Sequence, residues 1–201
     1  KAAEASALRA RGLQTVPLNT ADAVTIPGAI DAFCHLSETE GKIGLDAVLA
    51  PAIHYAEEGV PVAPRVAFDW GNDAGTLQGS ARDTYLINGR LPRVGEIFRA
   101  PGQAEVLRRV AAKGRDAFYT GEIAEDMIAT LQAAGGSHSA EDFASARAEV
   151  STPVSGHYKD LEVVEHPPNG QGATALLLMN ILDHFDIAGM DPLGAERLHI
   201  E

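Results

Sequence analysis

Seven histidines are spread through 201 residues, and three of them stand close to a carboxylate. His35 precedes Glu38, His138 precedes Asp142, and His184 lies two residues before Asp186. A metal site built on one helix wants two ligands a turn apart, as in H-x-x-x-H, and none of these pairs has that form. Isolated His–carboxylate pairs arise often by chance, so no metal ligand is assigned. Nucleophilic chemistry has one candidate in S-H-S at 137–139, where two hydroxyls flank His138. Neighbours in sequence are not thereby a nucleophile and its base in space. Ser139, three residues before Asp142, has a simpler use as the N-cap of a helix.

Two loops could hold a ligand. Y-L-I-N-G-R-L-P-R at 85–93 carries Arg90 and Arg93 and could meet an anion, but a solvated loop is the expected reading in an acidic chain. H-P-P-N-G-Q-G at 166–172 combines a stiff Pro-Pro with glycines that let backbone come close, and amides at a helix start can hold an anion. It matches neither the phosphate loop nor the dinucleotide fingerprint. A helix packed tightly on a sheet also needs small residues at its start. A structural entrance is the preferred reading of this loop, with a ligand cradle as the alternative.

Composition narrows the classes further. The formal net charge is −12, from 28 acids against 16 bases, which argues against a nucleic-acid partner held by phosphate neutralisation. Cys34 is the only cysteine, so an intrachain disulfide and a thiolate metal cluster are excluded. In I-D-A-F-C-H-L it reads as a small buried hydrophobe. Apolar residues make up 45%, enough for a sizeable core. No apolar run approaches the length of a membrane span, so no membrane partner is expected, and no signal peptide is visible. The chain opens on Lys1 and ends on L-H-I-E within a rising helical pattern. It is expected to be a piece of a longer protein, and its compartment is left unassigned.

The elements that must position these residues are mostly helices. An alanine-rich helix is expected from Ala2 to Arg11, closing at Gly12; L-Q-T-V-P-L and A-V-T-I lean extended, with Pro17 and Pro27 as stops. A helix follows from Gly28 to about Glu40, with Ile30, Phe33, Cys34 and Leu36 on or near one side. The clearest helix is L-D-A-V-L-A-P-A-I-H-Y-A-E-E-G. Leu45, Val48, Leu49, Ala52, Ile53 and Ala56 form one stripe, and Gly59 and Pro61 end it. Pro51 lies inside that stripe at a cost of about 3 kcal/mol unless the helix kinks.

A helix around Trp70 over 64–78 comes next, and 79–100 reads mostly as loop. Pro101 suits a first helical position, in a helix that ends at Gly114. R-D-A-F-Y-T-G is a one-turn connector, and a helix with early acids stops at Gly135-Gly136. A capping box at Ser139 and Asp142 opens a short helix through Ala148. Near Val150 the pattern changes to two strands turned at Lys159-Asp160, with His157 opposite Glu162. The Leu-rich helix at 172–185 is apolar on every side, which predicts burial, and another helix starts after Pro192. The fold class is α+β and helix-rich, one partial domain over 1–201 with a mainly helical part at 1–148 and a hairpin with a core helix at 149–201.

In order along the chain, A-V-T-I-P-G-A-I-D-A-F, L-D-A-V-L-A-P-A-I-H-Y-A-E-E-G-V-P-V, G-E-I-F-R-A-P, G-R-D-A-F-Y-T-G-E-I-A-E, P-V-S-G-H-Y-K-D-L-E-V-V-E-H-P-P-N-G-Q-G and L-L-L-M-N-I-L-D-H-F-D resemble the large-subunit portion of a gamma-glutamyltransferase (gamma-glutamyltranspeptidase). Many members carry Ser-Ser-Gly-Gly after the prolines, where this chain has Asn169-Gly170-Gln171-Gly172, so a divergent branch is expected.

The resemblance implies a fragment of an N-terminal-nucleophile hydrolase with an α/β/β/α sandwich. In that family a precursor cuts itself into two subunits. The new N-terminal Thr of the small subunit attacks a gamma-glutamyl amide such as glutathione, with its own α-amino group as base. That Thr lies beyond this chain, the arginine that grips the α-carboxylate lies before it, and the other glutamyl-holding residues belong to the small subunit. No catalytic, substrate-binding or metal residue is therefore assigned here, and Thr152 and Thr174 are not substitutes. No cofactor is implied. The implied partners are the small subunit and a small gamma-glutamyl substrate, and a homo-oligomer is left open. Two alternatives stand beside this reading: a cephalosporin-acylase-like amidase of the same fold, and a non-catalytic helical scaffold.

Overall fold

A computed structural model of the chain describes residues 4–201, with residue 73 described in its backbone only. The described residues fall into two compact units that meet in sequence at 148–149.

The first unit opens with α1 (Ala5–Ala10) and the left-handed Gly12, at φ +81°. The beginning of the helix expected from Ala2 lies outside the described residues. The tracts expected to be extended at 13–18 and 23–26 form no strand; a 3-10 turn occupies Ala21–Ala23 and the rest is irregular. Extended backbone needs a neighbouring strand for its polar groups. Side chains hold this stretch instead. Arg11 forks onto Asp22 at 3.0 and 2.9 Å, and the Thr20 hydroxyl donates to the Pro17 carbonyl at 2.8 Å.

Helices α2 (Ala29–Thr39) and α3 (Leu45–Glu58) follow. The left-handed Gly59 ends α3 at φ +91°, and Pro51 sits within a helix that continues past it. Strand β1 (Val60–Pro61), α4 (Pro64–Asp73), a 3-10 turn at Ala74–Thr76 and α5 (Ser80–Tyr85) lead to β2 (Ile97–Phe98), which pairs antiparallel with β1. The region read as loop thus contains one short helix and one short strand. Tyr85 at its end stacks on Phe98, whose ring meets Trp70 edge-on at 4.8 Å, so aromatic packing makes this helix where local propensity does not.

Helix α6 (Pro101–Lys113) starts on its proline and packs along α3. Then come α7 (Asp116–Tyr119), α8 (Glu122–Ala133) and α9 (Ala140–Ser145). The expected capping box is formed: Ser139 Oγ accepts the Asp142 amide at 3.2 Å, and Asp142 Oδ2 accepts the Ser139 amide at 3.0 Å. The helix stops at Ser145, three residues earlier than expected, because the following carbonyls and one amide turn to side-chain partners. Tyr119, Ala124, Ile128 and Phe143 form the core here, with Ile26, Ile30, Phe118, Met127 and Leu131 around them.

Two apolar faces remain outside that core. Of the four α2 residues expected on one side, only Cys34 is buried, and Phe33 is 55% exposed. The α3 stripe is nowhere fully buried. The periodicity is real, but the described residues cover it only in part: Leu45, Leu49, Ile53 and Ala56 are half-buried, and Val48 is 50% exposed.

The second unit is a hairpin and a helix. Strands β3 (Val154–Tyr158) and β4 (Leu161–Glu165) pair antiparallel with His157 opposite Glu162, as the alternation predicts. The turn puts Lys159 at φ +52°. Its amide donates to Asp183 Oδ1 at 3.0 Å, and its ammonium reaches the Asp183 and Phe185 carbonyls at 3.1 and 3.2 Å. Helix α10 (Gly172–Leu182) therefore ends at Leu182 in place of the expected 185. It packs on both strands; a Cβ at Gly156 would sit 3.3 Å from Leu176 Cδ2, which shows how near the helix runs. The expected burial of α10 is corrected: Leu177 is 63% and Ile181 57% exposed, because two strands cover only one side of an all-round apolar helix. A 3-10 turn at Ile187–Gly189 and α11 (Ala195–Ile200) close the described chain.

Candidate functional site

The most completely built polar cluster joins Asp31, Arg115 and Tyr119. Asp31 lies in the first turn of α2, where its backbone amide has no helical partner. The Tyr119 hydroxyl accepts that amide at 3.2 Å and donates to the Pro27 carbonyl at 2.6 Å. Asp31 Oδ1 accepts from Arg115 Nε, and Oδ2 accepts the Ala148 amide at 2.6 Å. Arg115 Nη2 donates to the Ala146 and Ala144 carbonyls at 2.7 and 3.0 Å, and the guanidinium lies 4.6 Å above the Tyr119 ring.

Both charged side chains are largely enclosed, at 8% exposure for Asp31 and 16% for Arg115. Burial pushes the Asp31 carboxyl upward, and the Ala148 amide together with Arg115 outweighs it, so the group sits below its ordinary value. Burial also raises the Tyr119 phenol and the Cys34 thiol, Cys34 being pushed further by Glu38 and Asp31. A thiol raised in this way is no nucleophile at neutral pH. The cluster has no hydroxyl–base pair and no free donor facing a cavity. Its chemistry is structural.

Sequence reasoning did not single out Asp31 or Arg115. Asp31 looks like an ordinary acid at a helix start and Arg115 like a connector residue, and 84 positions separate them. No local pattern links the two.

The residues that were considered as sites are dispersed. His138 Nε2 donates to the Val24 carbonyl at 2.7 Å, which leaves the buried Nδ1 without a partner among the described residues. Asp142, its expected neighbour, serves the capping box, and the Ser139 hydroxyl donates to Asp142 Oδ2 at 2.7 Å. Among the described residues, no three of His, Cys, Asp and Glu converge on a position for a metal ion. Thr174 Oγ1 donates to Gln171 Oε1 at 2.8 Å, and Thr152 is exposed in the irregular stretch before β3.

The arginine loop is neither freely solvated nor open to an anion at Arg90. Arg90 forks onto Glu96 at 2.8 and 2.5 Å, and the Arg93 amide donates to the same carboxylate at 2.7 Å. The Arg90 guanidinium first, and the Arg93 amide second, hold the Glu96 carboxyl at about 2. A depressed carboxyl contributes its stabilisation above the ordinary range and loses it as pH falls through the folded value. The Glu96 carboxyl carbon is therefore expected to titrate near 2 by NMR, with amide exchange over 87–96 quickening over the same interval. A midpoint at an ordinary glutamate value would remove the clamp.

The loop at 166–172 behaves as an entrance. A Cβ on the buried Gly172 would collide with the His166 carbonyl oxygen and come within 2.9 Å of Glu165 Cβ, whereas one on Gly170 would meet nothing within 4 Å. The turn brings backbone against backbone at Gly172. Gly172→Ala is expected to destabilise the hairpin unit by about 1–3 kcal/mol through overpacking, while Gly170→Ala costs less. Equal thermal midpoints for the two variants would contradict the close approach.

Comparison with known proteins places this architecture. The sequence profile of the gamma-glutamyltranspeptidase family matches residues 1–201. A glutathione hydrolase-like YwrD proenzyme of Bacillus subtilis is 33% identical over 94% of this chain and 37% of its own length. An acylase ACY 1 proenzyme of Pseudomonas sp. is 31% identical over 90% of this chain and 33% of its own. The crystal structure of a cephalosporin acylase from Bacillus halodurans superposes with a TM-score of 0.86 at 36% identity, covering 97% of this chain and 38% of that one. The chain thus spans about a third of the length of these relatives.

Proposed function

Because the chain belongs to the gamma-glutamyltranspeptidase family, we propose that it is the supporting, large-subunit part of an N-terminal-nucleophile hydrolase acting on gamma-glutamyl amides. The observation that carries the reading is the unbroken family match over residues 1–201. The reacting threonine lies outside these residues, in a small subunit released from the same precursor. Its hydroxyl adds to the gamma-glutamyl carbonyl while its free α-amino group takes the proton. Backbone amides hold the oxyanion, the amine leaves with a proton, and water or an acceptor amine then releases the acyl group.

The role of this chain in that scheme is scaffolding. The exposed apolar sides of α3 and α10 support it, since contiguous apolar surface of this kind marks an interface. The loop at 166–172, with Asn169-Gly170-Gln171-Gly172 after the prolines, turns a strand into α10 and helps shape one wall of the site.

One relative favours a second reading. The solved cephalosporin acylase is 36% identical to this chain, which points to the same nucleophile with a different acyl preference. The full-length protein decides between them. Gamma-glutamyl-p-nitroanilide is expected to release p-nitroaniline with the full-length protein, and the 201 residues alone are expected to release none. Turnover of a glutaryl amide without release from the glutamyl compound would establish the acylase reading in its place. No turnover of either, in a precursor that cleaves itself, would refute both.

A further inference from the structure

We infer that the Asp31–Arg115 pair is a path-setting latch, which fixes where residues 144–148 run and adds little net stability. The inference rests on where the hydrogen bonds end. Asp31 takes the Ala148 amide, and Arg115 supplies the Ala144 and Ala146 carbonyls, which Arg147 also reaches from within the segment at 2.7 Å each. From Ala146 to Pro153 the chain has no regular secondary structure. These backbone groups have no ladder to join, and polar backbone removed from water must find partners somewhere.

Burial cannot place this segment. Ala146 is its one contribution to the core cluster, and Val150, a little further on, is 84% exposed. A stretch with so little apolar anchorage is held by directional bonds or not at all. The pair is poorly suited to serve stability itself. Withdrawing two charges from water offsets most of their attraction, and apolar replacements of similar volume are commonly neutral or better. What an apolar pair cannot do is reach a carbonyl at 144, another at 146 and an amide at 148.

The test uses the full-length protein carrying Asp31→Leu with Arg115→Met, read by thermal unfolding and by hydrogen exchange over 144–148. The midpoint is expected within about 5 °C of the parent's. Exchange at Ala148, whose amide Asp31 holds, is expected to quicken by on the order of ten- to a hundred-fold, as for loss of a charge-assisted hydrogen bond. Should this variant not fold, Asp31→Ala with Arg115→Leu removes both charges and every bond the pair makes, and carries the same two readings. Parent-like protection of the Ala148 amide overturns the inference. So does a midpoint lowered by more than about 10 °C, or failure of both double variants to fold. None of these outcomes depends on which amide the parent enzyme cleaves.

Discussion

Replacing Arg115 alone with methionine is expected to destabilise the helical unit by about 3–5 kcal/mol at neutral pH, the cost of leaving a buried charge without its partner. The carboxylate left behind would be 8% exposed and would keep only the Ala148 amide. The pH dependence separates this loss from ordinary loss of packing. In the parent, Asp31 is held below its ordinary value, so its contribution is present above the unfolded carboxyl range and lost as pH falls through the folded value. Without Arg115 the burial that pushes Asp31 upward is opposed by the Ala148 amide and the charge of Arg147 alone, so the carboxyl rises from its value in the parent. The contribution lost with Arg115 is the part that depends on an ionised Asp31, and acid removes that part from the parent as well by protonating the carboxyl.

Urea unfolding of parent and Arg115→Met from neutral pH into the acid range should therefore show the difference in stability shrinking as pH falls. A difference that stays constant with pH would mean that only the cation–π contact with Tyr119 and side-chain packing had been lost. The single variant also complements the double one. A costly single change beside a nearly neutral double change is the signature of a pair that offsets its own desolvation.

Why this cluster stayed hidden while its surroundings were legible has a physical explanation. The Ser139–Asp142 box, the glycine stop after α3 and the His157–Glu162 register are local. Each is decided by residues within one turn or one hairpin, and spacing shows it directly. The short α5 is fixed by Trp70 and Phe98, which lie in other elements, and nothing in S-A-R-D-T-Y announces it. Asp31 meets Arg115 only after three elements have packed.

The apolar stripes of α3 and α10 fail in a different way. Periodicity reports that a face is apolar, and it is silent on whether the neighbour that covers the face lies within the same 201 residues.

Truncating Phe143 to alanine is the second large effect expected, at about 3–5 kcal/mol. Phe143 is fully buried at 0% exposure, packed with Tyr119, Ala124 and Ile128. Its helix is six residues long, too short to persist through backbone bonding alone. Two devices therefore hold α9 in place: the capping box at its start and this ring. Ser139→Ala removes the first and should cost about 1 kcal/mol. Phe143→Ala should cost several times more, because it leaves a cavity next to Tyr119, whose hydroxyl orients the first turn of α2. Phe143→Leu, which fills most of that volume, should recover the greater part. If urea denaturation of the full-length protein gave the cap variant the larger loss, the first unit would be organised by its helix ends and the Tyr119–Phe143 cluster would not be its core.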